Sequence, residues 1–332
     1  MNILFVGKNI SNNNSYEFIN IITPLEKMGY KSFIYDFVND PLENQLELNE
    51  NISKNKIDLF FIFPVENELD LTFFKNLPHK CITLAYFYDD TWRINYSLKW
   101  IQKVDYIVTT DINWKLNFIN YKHKVIYCPF FINIDKYKKI ANCEKKYDVS
   151  FVGQYHPSRE WIINIIRNNG IDVKVFGKGW GNNSEIDFNS MIEVFNQSKI
   201  NLNLSNSINF DIRHLLDLKN NKLFSLLRSY KLIYTNLYLK DMKIYEMVKA
   251  RFFEINSCGG FQLSFYAQGL ENQYTIGDEI EIYENINQLI RKINYYLNNE
   301  DERDIIAENG YLKTINSHSS ELRLKYIMSF IK

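Results

Sequence analysis

The chain has 332 residues, 46% of them hydrophobic and 23% charged, and its 39 lysines and arginines balance its 39 aspartates and glutamates. This is globular composition, long for one core and natural for two domains of about 150 residues each. The even charge argues against a protein that coats nucleic acid, which carries a basic excess, and so against nucleic acid as a partner.

Residues 2–7 (NILFVG) form an apolar run closed by glycine, the pattern of a buried first strand. Residues 8–15 are polar and Asn-rich, as a loop is, and then Phe18, Ile19, Ile22, Leu25 and Met28 recur at helical spacing up to a stop at Gly29. Residues 31–35 read as a second strand, 42–55 as a polar helix, 58–64 (DLFFIFP) as a third strand, 81–88 (CITLAYFY) as a fourth and 105–110 (DYIVTT) as a fifth. Helices fit between them at 97–102 and 113–121, and 124–131 (KVIYCPFF) closes the series before a polar stretch from 133 to 146. Strands alternating with helices give a parallel sheet covered on both faces, with ligands beyond the carboxyl ends of its strands. That rule singles out Gly7 and Lys8 after the first strand, and the pair Asp89 and Asp90 after the fourth. One glycine is not a dinucleotide fingerprint. An acid pair in such a place is a candidate general base for an acceptor hydroxyl, the competing reading being a cap on the next helix.

The pattern then restarts. Residues 148–153 (DVSFVG) repeat the strand-then-glycine signature, Arg159 opens a helix bearing Trp161, Ile162, Ile165 and Ile166, and Gly170 ends it. A strand at 173–176 leads into a glycine-rich turn at 177–181, followed by a short helix at 191–197 and a strand at 200–204 (INLNL). Turns ending at Gly153 and Gly177 bring backbone N–H groups within reach of a phosphate, and Arg159 in a first helical turn suits a diphosphate. Plain turn chemistry and a solvent-facing arginine are the alternative. Residues 206–245 carry Leu215, Leu216, Leu223, Leu226 and Leu227 among several cations, which reads as a helical insertion. It packs on its lobe, or else serves as a lid, as a contact with a second copy of the chain, or as a face resting on a membrane.

The stretch 246–264 (EMVKARFFEINSCGGFQLS) places Glu246 and Glu254 eight residues apart with Lys249 and Arg251 between them. A helix through it sets both carboxylates along one side, Gly259 and Gly260 end that helix, and 261–264 is a buried strand. Carboxylates here accept hydrogen bonds from ribose or hexose hydroxyls, and the cations neutralise a diphosphate. An edge strand at 280–283 (IEIY), a helix bearing Ile286, Leu289, Ile290 and Ile293, a helix from 301 that stops at Gly310, and a closing helix over 311–332 complete the chain. His318 reads as structural. Cys81, Cys128, Cys143 and Cys258 form no CxxC pair and none sits beside a histidine at ligand spacing, so neither zinc nor a disulfide scaffold is expected. The N-terminal apolar run is too short for a signal peptide and lacks its basic start, and the longest apolar run, 59–65, is far short of a membrane span. The expectation is a cytoplasmic protein, in solution or peripheral at the inner face of the membrane.

Together YDVSFVG, SKINLNLS, KARFFEINSCGGFQLS, IGDEIEIY and DERDIIAENGYLKTINSH resemble the C-terminal half of a GT-B glycosyltransferase of the group 1 type, in the branch related to the spore-maturation protein CgeB. The first half carries only the general pattern. The resemblance implies an α/β GT-B fold of two Rossmann-like lobes facing across a cleft, with 1–140 on the acceptor side, 147–310 as the donor lobe and 206–245 inserted in it. It implies a glycosyltransferase that works without a metal or other cofactor and moves a sugar from a nucleotide-diphosphate sugar to a hydroxyl of a glycan, lipid-linked or protein acceptor. Glu254 then matches the residue that holds the donor ribose, and Glu246 the first glutamate of an E-x7-E pattern. Lys249 and Arg251 match basic positions near the diphosphate, and Gly259 and Gly260 the step by which the helix approaches the nucleotide. A phage-type transferase acting on DNA bases and a non-catalytic protein that keeps the fold are the rival readings.

Overall fold

The computed structural model describes residues 1–66, 68–88, 90–181, 184–205, 217, 219–220, 227, 230 and 246–331. The chain divides into two compact units, Met1–Lys136 with His318–Lys332, and Tyr137–Ser317.

Unit 1 is built on six parallel strands, β1 (Asn2–Gly7), β2 (Lys31–Asp36), β3 (Leu59–Ile62), β4 (Ile82–Phe87), β5 (Tyr106–Thr109) and β6 (Val125–Tyr127), in the order β2-β1-β3-β4-β5-β6. The apolar runs are continuous because both faces are buried. Ile3 and Phe5 of β1 join one core with Phe61, Leu84 and Val108, while Leu4 and Val6 join the other with Phe60, Ile62, Ala85 and Ile107. The period-2 pleat sends neighbours to opposite faces, so a strand between two cores has no polar side. Among the described residues the α-helices in the first part of this unit are α1 (Thr23–Lys27), entered through a π-helical turn at Phe18–Ile22, α2 (Pro41–Asn55), α3 (Asp90–Ile101) and α4 (Trp114–Asn117).

Unit 2 has five parallel strands, β7 (Tyr147–Val152), β8 (Val173–Phe176), β9 (Ser198–Asn203), β10 (Gln262–Phe265) and β11 (Glu281–Tyr283), in the order β11-β10-β9-β7-β8. The helices whose bounds lie among the described residues are α5 (Pro157–Asn168), α6 (Phe188–Gln197), α7 (Ala250–Ser257), α8 (Ile286–Asn298) and α9 (Glu300–Ser317). The expected helical insertion at 206–245 lies largely outside the described residues. Of those described within it, Asp217 accepts from Trp161 Nε1 at 2.8 Å and so ties to α5.

Two helix ends differ from the sequence expectation. Residues 246–249 are not helical: Lys249 is extended and stands as the N-cap of α7, and Met247 pairs as an isolated bridge with Gln268. Met247 and Val248 are both buried in that extended run, so packing overrides the helical spacing and separates Glu246 from the helix that carries Glu254. At the far end, α9 runs through Gly310 without a break. The final helix, α10 (Ser320–Ser329), belongs to unit 1, where it meets α1 and the Phe18–Ile22 turn and where Leu324 and Ile327 are fully buried in the core that also holds Ile3, Phe5 and Phe61. A bridge between Ile132 and Ser319 fixes that return. His318 at the junction is buried, and its Nδ1 meets Arg323 Nη2 at 2.9 Å.

The reason for Gly310 is close approach. A Cβ there would stand 2.3 Å from the Glu279 carbonyl oxygen and 3.0 Å from Asn256 Nδ2. Alanine at a helix interior is intrinsically better than glycine by about 1 kcal/mol. Overpacking against backbone costs about 1–3 kcal/mol. Gly310→Ala is therefore expected to lower the urea midpoint despite its better propensity, and a raised midpoint would show that this contact relaxes freely.

Candidate functional site

In unit 2 the chain leaves β7 for β8 on one side and then crosses to β9 on the other, so the order reverses between β7 and β9. Open α/β sheets bind ligands at such a reversal, beyond the strands' carboxyl ends. Arg159, in the first turn of α5, joins the two loops there. Its Nε and Nη2 donate to the Leu204 carbonyl after β9, at 3.0 and 2.9 Å, and its Nη1 donates to the Gln154 carbonyl after β7, at 2.8 Å. Those carbonyls have left the sheet ladder and need donors, and a planar fork supplies three at fixed angles. Ser205, the next residue after Leu204, donates its hydroxyl to the Glu246 carboxylate.

Charge gathers at the same edge. Burial pushes the Arg159 guanidinium down to about 10, the nearby Arg251 adds to the effect, and Tyr283 and Glu246 oppose it. The group stays charged at neutral pH. Tyr283, at the carboxyl end of β11, is buried, and its hydroxyl is held well above the usual range by desolvation and then by Glu246. Arg251 Nη1 pairs with Glu254 Oε2 at 2.8 Å, and the guanidinium lies 5.0 Å above the Phe195 ring. Glu254 is 8% exposed and also accepts from the Tyr137 hydroxyl at 3.2 Å. Glu246, Arg159, Arg251 and, through Arg251, Glu254 thus form one charged group at the β7/β9 edge, with Lys249 at the start of α7.

The four donor-side glycines of the sequence expectation each pack closely within the fold. The Gly153 amide donates to the Phe176 carbonyl at 2.9 Å and the Gly177 amide to the Ser184 carbonyl at 2.6 Å, so both N–H groups are used within the fold. Gly177 has φ +130°, and a Cβ on it would lie 2.3 Å from the Gly153 carbonyl oxygen, which accepts from Trp180 Nε1 at 2.7 Å. These two glycines let the β7 and β8 loops touch. Gly259 and Gly260 follow the C-terminus of α7 and precede β10, so they sit at the amino ends of the strands, a helix length of about 12 Å from Lys249. A Cβ on Gly260 would stand 2.7 Å from Asn201 Nδ2, so this glycine allows α7 to pack close to β9.

In unit 1, Asp89 lies outside the described residues. Asp90 is buried at the first position of α3 and acts electrostatically on Tyr86. Gly7 packs toward Ile10 and Phe63, and Lys8 is exposed beside it. A carboxylate that the sequence reading passed over stands close by. Glu17 is half-buried just after the β1 loop, and burial raises its carboxyl above the ordinary glutamate range, with its own amide, Tyr88 and Ser15 opposing the shift. No motif marks it. The only hint is an acid at the start of an apolar helical run.

Residues 158–329 match the family described as glycosyl transferase-like. That is more than half of the chain, and the chain belongs to this family. No curated protein sequence matches it. Among solved structures it is similar to a sucrose-phosphate synthase from Thermosynechococcus elongatus, with TM-score 0.64, 9% identity and coverage of 100% of this chain and 99% of that one. It is similar to a glycosyltransferase from Rickettsia africae, with TM-score 0.60, 11% identity and coverage of 100% and 98%. It is also similar to HepE from Anabaena, solved with UDP, with TM-score 0.59, 11% identity and coverage of 100% and 99%. The fold is that of the GT-B glycosyltransferases, two α/β units each on its own parallel sheet.

The raised Glu17 carboxyl has a sign that can be checked. A carboxyl raised on folding contributes its full stability below the ordinary glutamate range and loses it as pH rises through the raised value. Glu17→Gln removes the desolvated charge and keeps a polar group beside Tyr88. The variant is expected to melt higher than wild type at pH 7, with the gap closing at pH 4. A variant that melts lower at pH 7 would mean that interactions of the charged carboxylate outweigh its burial cost.

Proposed function

We propose that this protein transfers a hexosyl group from a nucleotide-diphosphate sugar to a hydroxyl of a glycan, lipid-linked or protein acceptor. The transfer is metal-independent, and the chain falls in the CgeB-like branch that its motifs resemble. The observation that carries the reading is the convergence of Arg159, Arg251, Ser205 and Glu246 at the strand-order reversal of unit 2. Its membership of the glycosyl transferase-like family supports the same chemistry. HepE, a structural neighbour, has been solved with UDP and with UDP-glucose, and we take a UDP-sugar as the first donor to try.

In this reading the cations act on charge. As the bond from the anomeric carbon to the diphosphate breaks, negative charge grows on the departing oxygen, and preorganised positive groups stabilise it more than they stabilise the bound donor. Arg251 and Lys249, at the start of α7, take that role, and Arg159 adds its field from the first turn of α5. Glu246 takes the sugar hydroxyls, its position fixed by Ser205. Glu254 takes the ribose hydroxyls and holds Arg251 in place. Unit 1 takes the acceptor. Among the described residues no helix is long and apolar enough to cross a membrane.

Three measurements test this. A thermal-shift panel of UDP-, GDP- and TDP-sugars is expected to give one that raises the melting temperature, since a ligand that binds only the native state stabilises it by about 2.7 kcal/mol at one hundred times its Kd. Calorimetry on Glu254→Gln with that donor is expected to show a loss of about tenfold or more, the worth of one charge-assisted hydrogen bond. Undiminished affinity would remove Glu254 from the donor site. Glu246→Gln should instead lower turnover with donor affinity largely kept.

A further inference from the structure

Among the described residues the two sheets have four edges, and three of them are blocked or short. In β11, only three residues long, the Ile282 amide donates to Glu281 Oε1 and the Ile282 carbonyl accepts from Lys292 Nζ, both at 2.9 Å. On β8 the Val173 carbonyl accepts from Arg167 Nη2 at 2.7 Å, and an ion pair joins Lys174 to Asp172. β6 spans three residues. Shortness and charged side chains are the means by which an edge is kept from pairing with another chain.

β2 is open. It runs six residues, Lys31–Asp36, along the outer edge of the unit 1 sheet. It pairs in parallel with β1, the Lys31 amide donating to the Met1 carbonyl and the Phe37 amide to the Gly7 carbonyl. Along a strand, alternate residues turn their N–H and C=O to the same neighbour. The odd-numbered residues of β2 therefore bond to β1, and Ser32, Ile34 and Asp36 present theirs outward. No group among the described residues bonds to that outward row. Ile34 at its centre is 37% exposed, and Val38 just past its end 40%. The two charges of the strand stand at its ends, where Lys31 lies over the Phe33 ring and Asp36 accepts from the Ile10 amide at 2.6 Å.

The row is complementary to itself. In an antiparallel pair, residues directly opposite turn their backbone groups the same way, so outward residues must meet outward residues. A two-fold axis through Ile34 satisfies this along the whole strand. It sets Ile34 against its own counterpart, Ser32 against Asp36, Phe33 against Tyr35 and Lys31 against Phe37. Each outward pair exchanges two backbone hydrogen bonds. No like charges meet. The Ser32 hydroxyl, which finds no partner among the described residues, faces a carboxylate, and ring faces ring on the other side.

We propose that β2 is a dimer interface: two copies of this chain pair antiparallel through Lys31–Asp36 about a two-fold axis at Ile34, so that their unit 1 sheets run on into one. Such a contact is closed, since each copy's open edge is used by the other and association stops at two.

The test is the molar mass of the whole protein by sedimentation over a wide range of concentration. Wild type is expected to reach twice the mass of one chain. Ile34→Pro removes an N–H that points away from β1, which an edge strand tolerates, and Ile34→Lys sets like charges on the axis. Both are expected to sediment as single chains with the circular dichroism of wild type. Ile34→Cys is expected to cross-link copies under mild oxidation, because opposite hydrogen-bonded residues have Cα atoms about 5.5 Å apart, within disulfide reach. Wild type under the same oxidation controls for the native thiols. The proposal is overturned if wild type is a single chain at every concentration, if the dimer survives in folded Ile34→Pro and Ile34→Lys, or if Ile34→Cys cross-links no more than wild type. Should the proline and lysine variants both lose their fold, the cross-link in Ile34→Cys decides.

Discussion

The Arg159 guanidinium donates to the Leu204 and Gln154 carbonyls, and that fork joins the loop after β7 to the loop after β9. A lysine in its place would bring the same charge on a single point and could not satisfy both loops at fixed angles. The bridge sets where the chain goes after Leu204, and so where Ser205 stands and where the Glu246 carboxylate is held. It also keeps a cation partly out of water at the sheet's carboxyl edge, beside a second one on Arg251. Two like charges so placed are costly unless anions come to them. Glu246 and Glu254 partly meet that need from within the protein, and a diphosphate would meet it more fully.

The sheet's two edges carry different work, and glycine is needed at both. At the carboxyl edge Gly177 takes a left-handed conformation and lets the β8 loop lie on Gly153. At the amino edge Gly260 lets α7 close on Asn201 of β9, and Gly310 lets α9 pass the carbonyl of Glu279. Each removes a Cβ where two backbones meet. In this fold the glycines hold the frame, and side chains on the loops carry the charge.

Much of the fold was legible because strands buried on both faces cannot be other than apolar, and β1, β3, β4 and β7 read as such runs. Arg159, Arg251, Glu246 and Glu254 were visible as a pattern of charges near glycine breaks, and the structure brings these four together. The sequence reading was weaker where local and tertiary preferences differ. Glu246 sits at helical spacing from Glu254, yet Met247 and Val248 bury themselves in extended chain. Gly310 has the signature of a helix stop, but its role depends on Glu279 and Asn256, which only the fold brings near. Glu17 was missed for a related reason: what makes it unusual is its burial, which only the fold supplies.

The return of α10 to unit 1 has a consequence for how the protein is made. The core of unit 1 that holds Ile3 and Phe5 also takes in Leu324 and Ile327, more than three hundred residues later in the chain. Unit 2, contained within Tyr137–Ser317, has all its strands and helices before α10 exists. During synthesis the later unit can therefore close first, while the earlier one waits on the ribosome with an apolar face uncovered. Chains emerge at about 5–20 residues per second, so that wait is set by translation and not by the folding of unit 1 itself. It gives a chaperone that recognises exposed apolar surface its time to act.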